Sequence, residues 1–209
     1  MQFGTDFRDG LAQLIAWRRD VRRFKTDPLP DGTLERLIQL ACLAPSVGLS
    51  EPWRFVVVEE PGRRAAVRAS FERCNADALQ SQSEDRAALY ARLKLAGFDE
   101  APCQFAVFVD PDPPQGHGLG RRTMPATLAY SAVMAVHTIW LAARAEGIGL
   151  GWISILDPAE VAAALDVPPS WNLIGYFCLG YPAAQELVPE LEREGWERRR
   201  DPDAVIIRR

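Results

Sequence analysis

Apolar residues near the start of the chain recur at helical spacing, Phe7, Leu11, Leu14 and Ile15, and predict a helix ending at Trp17. The polar run Trp17-Arg18-Arg19-Asp20-Val21-Arg22-Arg23-Phe24 follows, so its arginines lie at or just past a helix C-terminus. A second helix opens at Asp31-Gly32-Thr33 with Asp31 as its cap, carries Leu34, Leu37, Ile38, Ala41 and Cys42 on one face, and stops at Pro45. Trp53–Val58, aromatic and β-branched, reads as a strand. Arg63 to about Leu95 is polar and helix-favouring, with a break near Ser81-Gln82-Ser83, and Gln104–Val109 is a second strand. The Pro- and Gly-rich stretch from Asp110 to Gly120 suits a cover over a site. Pro125–Glu146 is a long helix with apolar residues on more than one face, which places it centrally or in a subunit interface. A third strand lies within Gly147–Ile155, a short helix at Pro158–Leu165, and a fourth strand at Asn172–Leu179. Beyond Gly180-Tyr181-Pro182 the chain turns rich in Glu and Arg and ends in the strand-like Ala204–Ile207. A tail with so little core of its own is expected to wrap a partner subunit.

The chain's 209 residues suit one domain, 1–209, with a substantial core. With 48% apolar and 25% charged residues the balance is that of a soluble protein, and a net charge of -4 argues against nucleic acid or an anionic membrane as partner. The pattern shows no membrane span and no secretory segment, which predicts a cytoplasmic protein whose Cys42, Cys74, Cys103 and Cys178 are reduced thiols. Neither a metal site nor a Ser-His-Asp triad has a signature. His117 reads as a loop residue and His137 as a core histidine.

Against this ordinary background the arginine cluster stands out. Guanidinium forks grip phosphate bidentately, so Arg18, Arg19, Arg22 and Arg23 point to a phosphorylated ligand, the alternative being a solvated charged face. Asp20 either spaces the arginines by ion pairing or acts on another part of the ligand. Ser46 and Ser50 sit in a glycine-containing turn, where a hydroxyl serves the turn or reaches a ligand. Ser154, among Trp152, Ile153 and Ile155, wants a partner, in the backbone or in a ligand. Gly116-x-Gly118-x-Gly120 lacks both the Lys-Ser/Thr end of a P-loop and dinucleotide-fingerprint spacing. Arg198 offers a further phosphate contact or belongs to a solvated run with Arg199 and Arg200.

Several motifs occur together in order: Arg18 to Phe24, Ala44 to Phe55, Gly120-Arg121-Arg122-Thr123-Met124-Pro125, Tyr130-Ser131, Gly147 to Leu156, Gly180-Tyr181-Pro182, Glu190-Leu191-Glu192 and Gly195-Trp196-Glu197-Arg198. Over almost the whole chain this set resembles the nitroreductase superfamily of FMN proteins, and within it the aerobic 5,6-dimethylbenzimidazole synthases. The resemblance implies an α+β fold, a mixed β-sheet flanked by helices, an extended tail around the partner, and a homodimer. It implies FMN binding by Arg18, Arg19, Asp20, Val21, Arg22, Ser46, Ser50, Ser154 and Arg198, with the arginines on the phosphate and ribityl chain. Asp20 stands where ordinary nitroreductases carry serine, and only a carboxylate can also take a proton near neutral pH. The implied reaction consumes reduced FMN with O2, without a metal, giving 5,6-dimethylbenzimidazole and erythrose 4-phosphate. Asp20 would transfer protons, Ser154 would steer flavin and oxygen, and a separate NAD(P)H-flavin reductase would supply the reduced flavin. Glu51 and Ala126 depart from the glutamine and the acidic residue expected there. Two other readings stand beside this one: an NAD(P)H-dependent nitroreductase or quinone reductase that recycles FMN, and a non-catalytic flavin-binding or delivery protein.

Overall fold

Strand-forming runs assemble into one four-stranded sheet: β1 (Trp53–Val57), β2 (Cys103–Val109), β3 (Gly149–Ile153) and β4 (Asn172–Gly180), in the order β1-β2-β4-β3. The structure is a computed structural model and describes residues 2–92 and 97–209. The central strands β2 and β4 are buried on both faces, which is why they read as continuous apolar runs rather than alternating ones. All three ladders are antiparallel, so the mixed sheet expected from the sequence is corrected. Parallel pairing enters at one isolated bridge, Asp20 to Leu150, made by a segment outside the four strands.

Each face of the sheet has its own core. On one side α2 (Thr33–Ala41) and α6 (Thr127–Ala145) bury Leu34, Leu37, Val136 and Ile139 against Phe105, Leu150 and Phe177. On the other, Val67 of α3 (Pro61–Gln80) and Val161 of α7 (Pro158–Ala164) meet Phe108 and Tyr176. Helix α6 is long and apolar enough to cross a membrane by composition. Its row Ala132, Ala135, Val136, Ile139 and Ala143 instead closes the core, leaving Tyr130, Val133 and Met134 exposed. His137 falls on that open row, so it is an exposed residue and not the expected core histidine. Helix α1 (Thr5–Trp17) buries none of its residues, and Phe7, Leu11 and Ile15 stay exposed.

Other boundaries move for local reasons. The turn before α2 is made by Gly32 in the left-handed region (φ 75°), with the Thr33 hydroxyl donating to the Pro30 carbonyl at 2.7 Å, so Asp31 is not the cap. The break at 81–83 separates α3 from α4 (Glu84–Arg92); the predicted end near Leu95 lies outside the described residues. Two short helices, α5 (Gly97–Glu100) and α8 (Glu190–Arg193), were not foreseen. Ala204–Ile207 is not a strand: Pro202–Val205 forms a 3-10 turn, begun by the Asp201 carboxylate accepting from the Asp203 amide at 3.0 Å. Val205, Ile206 and Ile207 are exposed, and among the described residues no strand pairs with them.

The feature that positions the site is the path of residues 20–25. The Val21 amide donates to the Leu150 carbonyl (3.1 Å) and the Lys25 amide to the Tyr181 carbonyl (2.8 Å), while the Glu100 carboxylate accepts from the Phe24 amide at 2.8 Å. Such a close approach to β3 requires a bare strand. A Cβ on Gly151 would lie 2.2 Å from the Val21 carbonyl oxygen, and one on Gly149 would lie 2.7 Å from Val21 Cγ2. Gly151→Ala must therefore push the arginine segment off the sheet, and we expect a loss of about 1–3 kcal/mol by urea unfolding. Gly10→Ala, in helix α1 with nothing near its Cβ, should instead gain about 0.5–1 kcal/mol; equal effects of the two changes would contradict this account.

Candidate active site

Asp20 is gripped from the sheet. Its Oδ1 accepts from the Trp152 amide of β3 at 2.9 Å, and its Oδ2 lies 3.6 Å from Arg22 Nε. The same Arg22 nitrogen lies 3.7 Å from Glu190 Oε2 of α8. Burial pushes the Asp20 carboxyl above its usual pKa; the Trp152 amide, Arg22 and Arg18 pull the other way without cancelling it. Still, 37% of the side chain is open to solvent, which lets a proton come and go. A cavity of about 340 Å³ lies alongside, lined by residues 19–23, by Ala183 and Ala184, and by Glu190 and Arg193.

The other arginines are held by aromatic rings and backbone. The Arg18 guanidinium sits 4.7 Å over the Trp140 ring, and Trp140 Nε1 donates to the Arg19 carbonyl at 2.9 Å. Arg19 donates through Nη1 to the Arg18 carbonyl, while among the described residues its buried Nε has no partner. Arg144, on α6 and 4% exposed, stacks on Trp17 at 3.5 Å, and its Nε likewise meets no partner among the described residues. Burial lowers the pKa of Arg18 and Arg19, and the charge of Arg199 adds to it in both. Arginine remains charged throughout, so cations are gathered here with spare N–H donors, a setting that favours an anion.

The serines divide. Ser50 is 2% exposed, packed against Gly116, and among the described residues its hydroxyl has no partner. Ser46 Oγ accepts from the Glu51 amide at 3.2 Å and so serves its own turn. Ser154 lies one residue past the end of β3 and is exposed. The expectation that a strand interior obliges it to find a partner is therefore corrected, since water can satisfy it. Val21 packs on the β3 glycines. Arg198 is exposed, its backbone amide donating to Glu197; the neighbouring Arg199 is the tail residue whose charge acts on Arg18 and Arg19. Sequence reasoning assigned no role to Trp140, Arg144 or Glu190. An arginine and a tryptophan four residues apart in an apolar helix was the available signal for the first two. Glu190 had none beyond its motif. Among the described residues no three His, Cys, Asp or Glu side chains converge on a metal position.

Comparison with known proteins agrees with this architecture. The Nitroreductase family matches residues 15–181. A 5,6-dimethylbenzimidazole synthase of Rhodospirillum rubrum is 55% identical over 206 residues, covering 99% of this chain and 97% of that protein. One from Rhodobacter capsulatus is 46% identical over 197 residues, covering 94% and 95%. Among solved structures, oxidized iodotyrosine deiodinase bound to FMN and 3-iodo-L-tyrosine superposes with a TM-score of 0.74 at 24% identity, covering 95% of this chain and 97% of that one. A Desulfovibrio desulfuricans nitroreductase in complex with FMN gives 0.66 at 21% identity, covering 95% and 96%.

The raised pKa of Asp20 has a consequence for stability. Below the usual carboxylate range the group is protonated both folded and unfolded. As pH rises past that range the unfolded chain ionises freely while the folded carboxyl resists, so wild type loses stability until the folded group has ionised too. Asp20→Asn keeps an oxygen for the Trp152 amide and removes this loss. It should raise the melting temperature above wild type at pH 8, with the gap closing toward pH 3 in thermal scans; a gap that widens on acidification would contradict the assignment.

Proposed function

This chain belongs to the nitroreductase family, and from that premise we propose that it consumes a flavin: it takes reduced FMN and O2 and yields 5,6-dimethylbenzimidazole, the lower ligand of cobalamin, and erythrose 4-phosphate, with the pyrimidine part of the ring released as a separate four-carbon, two-nitrogen fragment. The observation that carries this reading is Asp20, a carboxylate held against the Trp152 amide at the position where the family's reductases have serine. Extended similarity to dimethylbenzimidazole synthases along nearly the whole chain supports it.

The residues fit the ligand. Among the described residues Arg19 Nε and Ser50 Oγ are buried polar atoms with no protein partner, and Arg19, Arg22 and Arg23 line the cavity beside Asp20 with further donors. Arg18 and Arg19 would hold the phosphate, with Arg198 and its neighbour Arg199 approaching from the tail. Arg22, already facing two carboxylates, would act further along the ribityl chain, with Val21 lining the approach; Ser46 and Ser50 lie outside that cavity lining and would reach the ligand only from a second copy or another approach. When bound, reduced FMN supplies both the electrons for O2 and the carbon skeleton of the product. Asp20 takes and returns protons during oxidation and cleavage of the ribityl chain, and the Trp152 N–H fixes its orientation. Ser154, free at the end of β3, would orient flavin and oxygen from the ring side. Enclosure matters, because water would divert the reduced flavin and oxygen to hydrogen peroxide. In this reading 1–209 is a single FMN-binding domain of a cytoplasmic enzyme, with no metal, no nucleic acid and no membrane involved, and a separate NAD(P)H-flavin reductase provides its substrate.

Admitting air to protein mixed anaerobically with reduced FMN should give dimethylbenzimidazole by mass spectrometry and a matching loss of flavin. A recycling reductase would return the flavin intact, and a carrier would leave product absent. Asp20→Asn should still bind reduced FMN, yet its product should fall by about a hundredfold or more, with flavin recovered oxidised and whole.

The partner in this reading is a second copy. Phe7, Leu11 and Ile15 on α1, Val133 and Met134 on α6, and Val205, Ile206 and Ile207 in the tail are large exposed apolar groups on elements that leave their own core unfinished. The tail would wrap the partner. Sedimentation at micromolar concentration should give twice the 23.2 kDa chain mass, and Leu11→Asp with Ile15→Asp should shift it toward monomer. A wild-type protein that stays monomeric while binding FMN would refute the arrangement.

A further inference from the structure

One edge of one guanidinium serves two carboxylates. Arg22 Nε is 3.6 Å from Asp20 Oδ2 and 3.7 Å from Glu190 Oε2, so the two acids lie within the span of two ion-pair distances. Arg22 keeps 15% and Glu190 24% of side-chain exposure, so their charges are screened less than surface charges are. Arg22 would draw the proton off Asp20, and Glu190 takes a share of that pull while adding a negative charge of its own.

We propose that Glu190 is a positioning residue that acts through Arg22 to control when Asp20 carries its proton. The inference rests on the proton-transfer role given to Asp20 above. The other groups around Asp20 do not do this. On its own segment Arg18 is a more distant cation stacked on Trp140, and β3 offers the fixed Trp152 amide. From β4 comes the Cys178 thiol, which burial pushes up so that it stays neutral. From α4, Tyr90 feels the Arg22 charge, and it too is shifted up and neutral. Around the cavity mouth, Arg193 pairs with Glu186 at 3.6 Å, and Glu194 lies beside them. Arg19 and Arg23 line the same cavity without an ion pair to Asp20 among the described residues. Among the described residues only Glu190 meets the nitrogen that Asp20 uses. The arrangement also divides labour among the arginines: one neutralised by two acids is a poor phosphate anchor, so the phosphate falls to Arg18 and Arg19.

The test is a titration of Asp20 itself. Protein carrying ¹³C-carboxyl aspartate, with the Asp20 resonance identified by its loss in Asp20→Asn, is followed by NMR across pH for wild type, Glu190→Gln and Glu190→Asp. Removing the Glu190 charge should lower the Asp20 midpoint by about half to one pH unit, the size expected for one charge at this range near a protein surface. Glu190→Asp, which retains the charge, should stay closer to wild type. The pH profile of dimethylbenzimidazole formation should move in the same direction as the midpoint, with FMN affinity, read by flavin fluorescence, changed less than threefold. A midpoint that is unmoved or raised in Glu190→Gln overturns the proposal, as does an equal shift in Glu190→Asp. A gain in FMN affinity of tenfold or more with an unmoved midpoint overturns it too, making Glu190 a competitor of the phosphate. If the midpoint falls while the product profile stays fixed, control by Glu190 stands and the proton role of Asp20 is what fails.

Discussion

Everything at the site depends on a backbone-to-backbone contact: the carbonyl of Val21 lying where a side chain of residue 151 would otherwise be. Without glycine at 149 and 151 the segment could not lie along β3. The Trp152 amide would then lose its carboxylate, and the arginines would revert to a flexible charged loop. The sheet edge thus acts as the template for the site. Its unpaired amides and carbonyls, a liability on an open strand, are taken up by Asp20 and Val21.

Electrostatics works against the folded chain here. Arg18, Arg19 and Arg144 are withdrawn from water, and burial lowers the pKa of all three. Aromatic faces, Trp140 under Arg18 and Trp17 against Arg144, supply part of the compensation. They offer negative potential without offering a carboxylate that would repel a phosphorylated ligand. The acids are kept to the other end of the segment, where Asp20 and Glu190 share Arg22. The segment is thereby polarised along its length, with buried cations at one end and two acids on one arginine at the other.

The strands and the main helices were legible because their signals are local. Apolar periodicity sets α1, α2 and α6, and β-branched or aromatic runs set β1 and β2. What failed depended on neighbours. Ala204–Ile207 has strand composition but pairs with no strand among the described residues, and His137 lies in an apolar helix yet on its open row. Ser154 was misplaced by a single residue at a strand end, which was enough to change a buried hydroxyl into an exposed one. At the site, a carboxylate among four guanidinium groups drew attention to Asp20 and the arginines, but chemistry alone left a solvated charged face as the alternative, and the family resemblance is what attached a particular ligand to them. Glu190 could not, because its meaning comes from a contact 168 residues away in sequence, with Arg22.

That long separation bears on how the protein is made. The Phe24–Pro182 bridge and the Arg22–Glu190 pair join residues 22–24 to residues 182–190. Strand β3, on which Asp20 rests, is also translated late. A nascent chain emerging from the ribosome can therefore build α1 and the first helices while lacking both the floor and the wall of the site. The Arg22–Glu190 pair and the β3 support of Asp20 form only after residues 149–190 have been made, so shorter fragments carry the arginines without the means to arrange them.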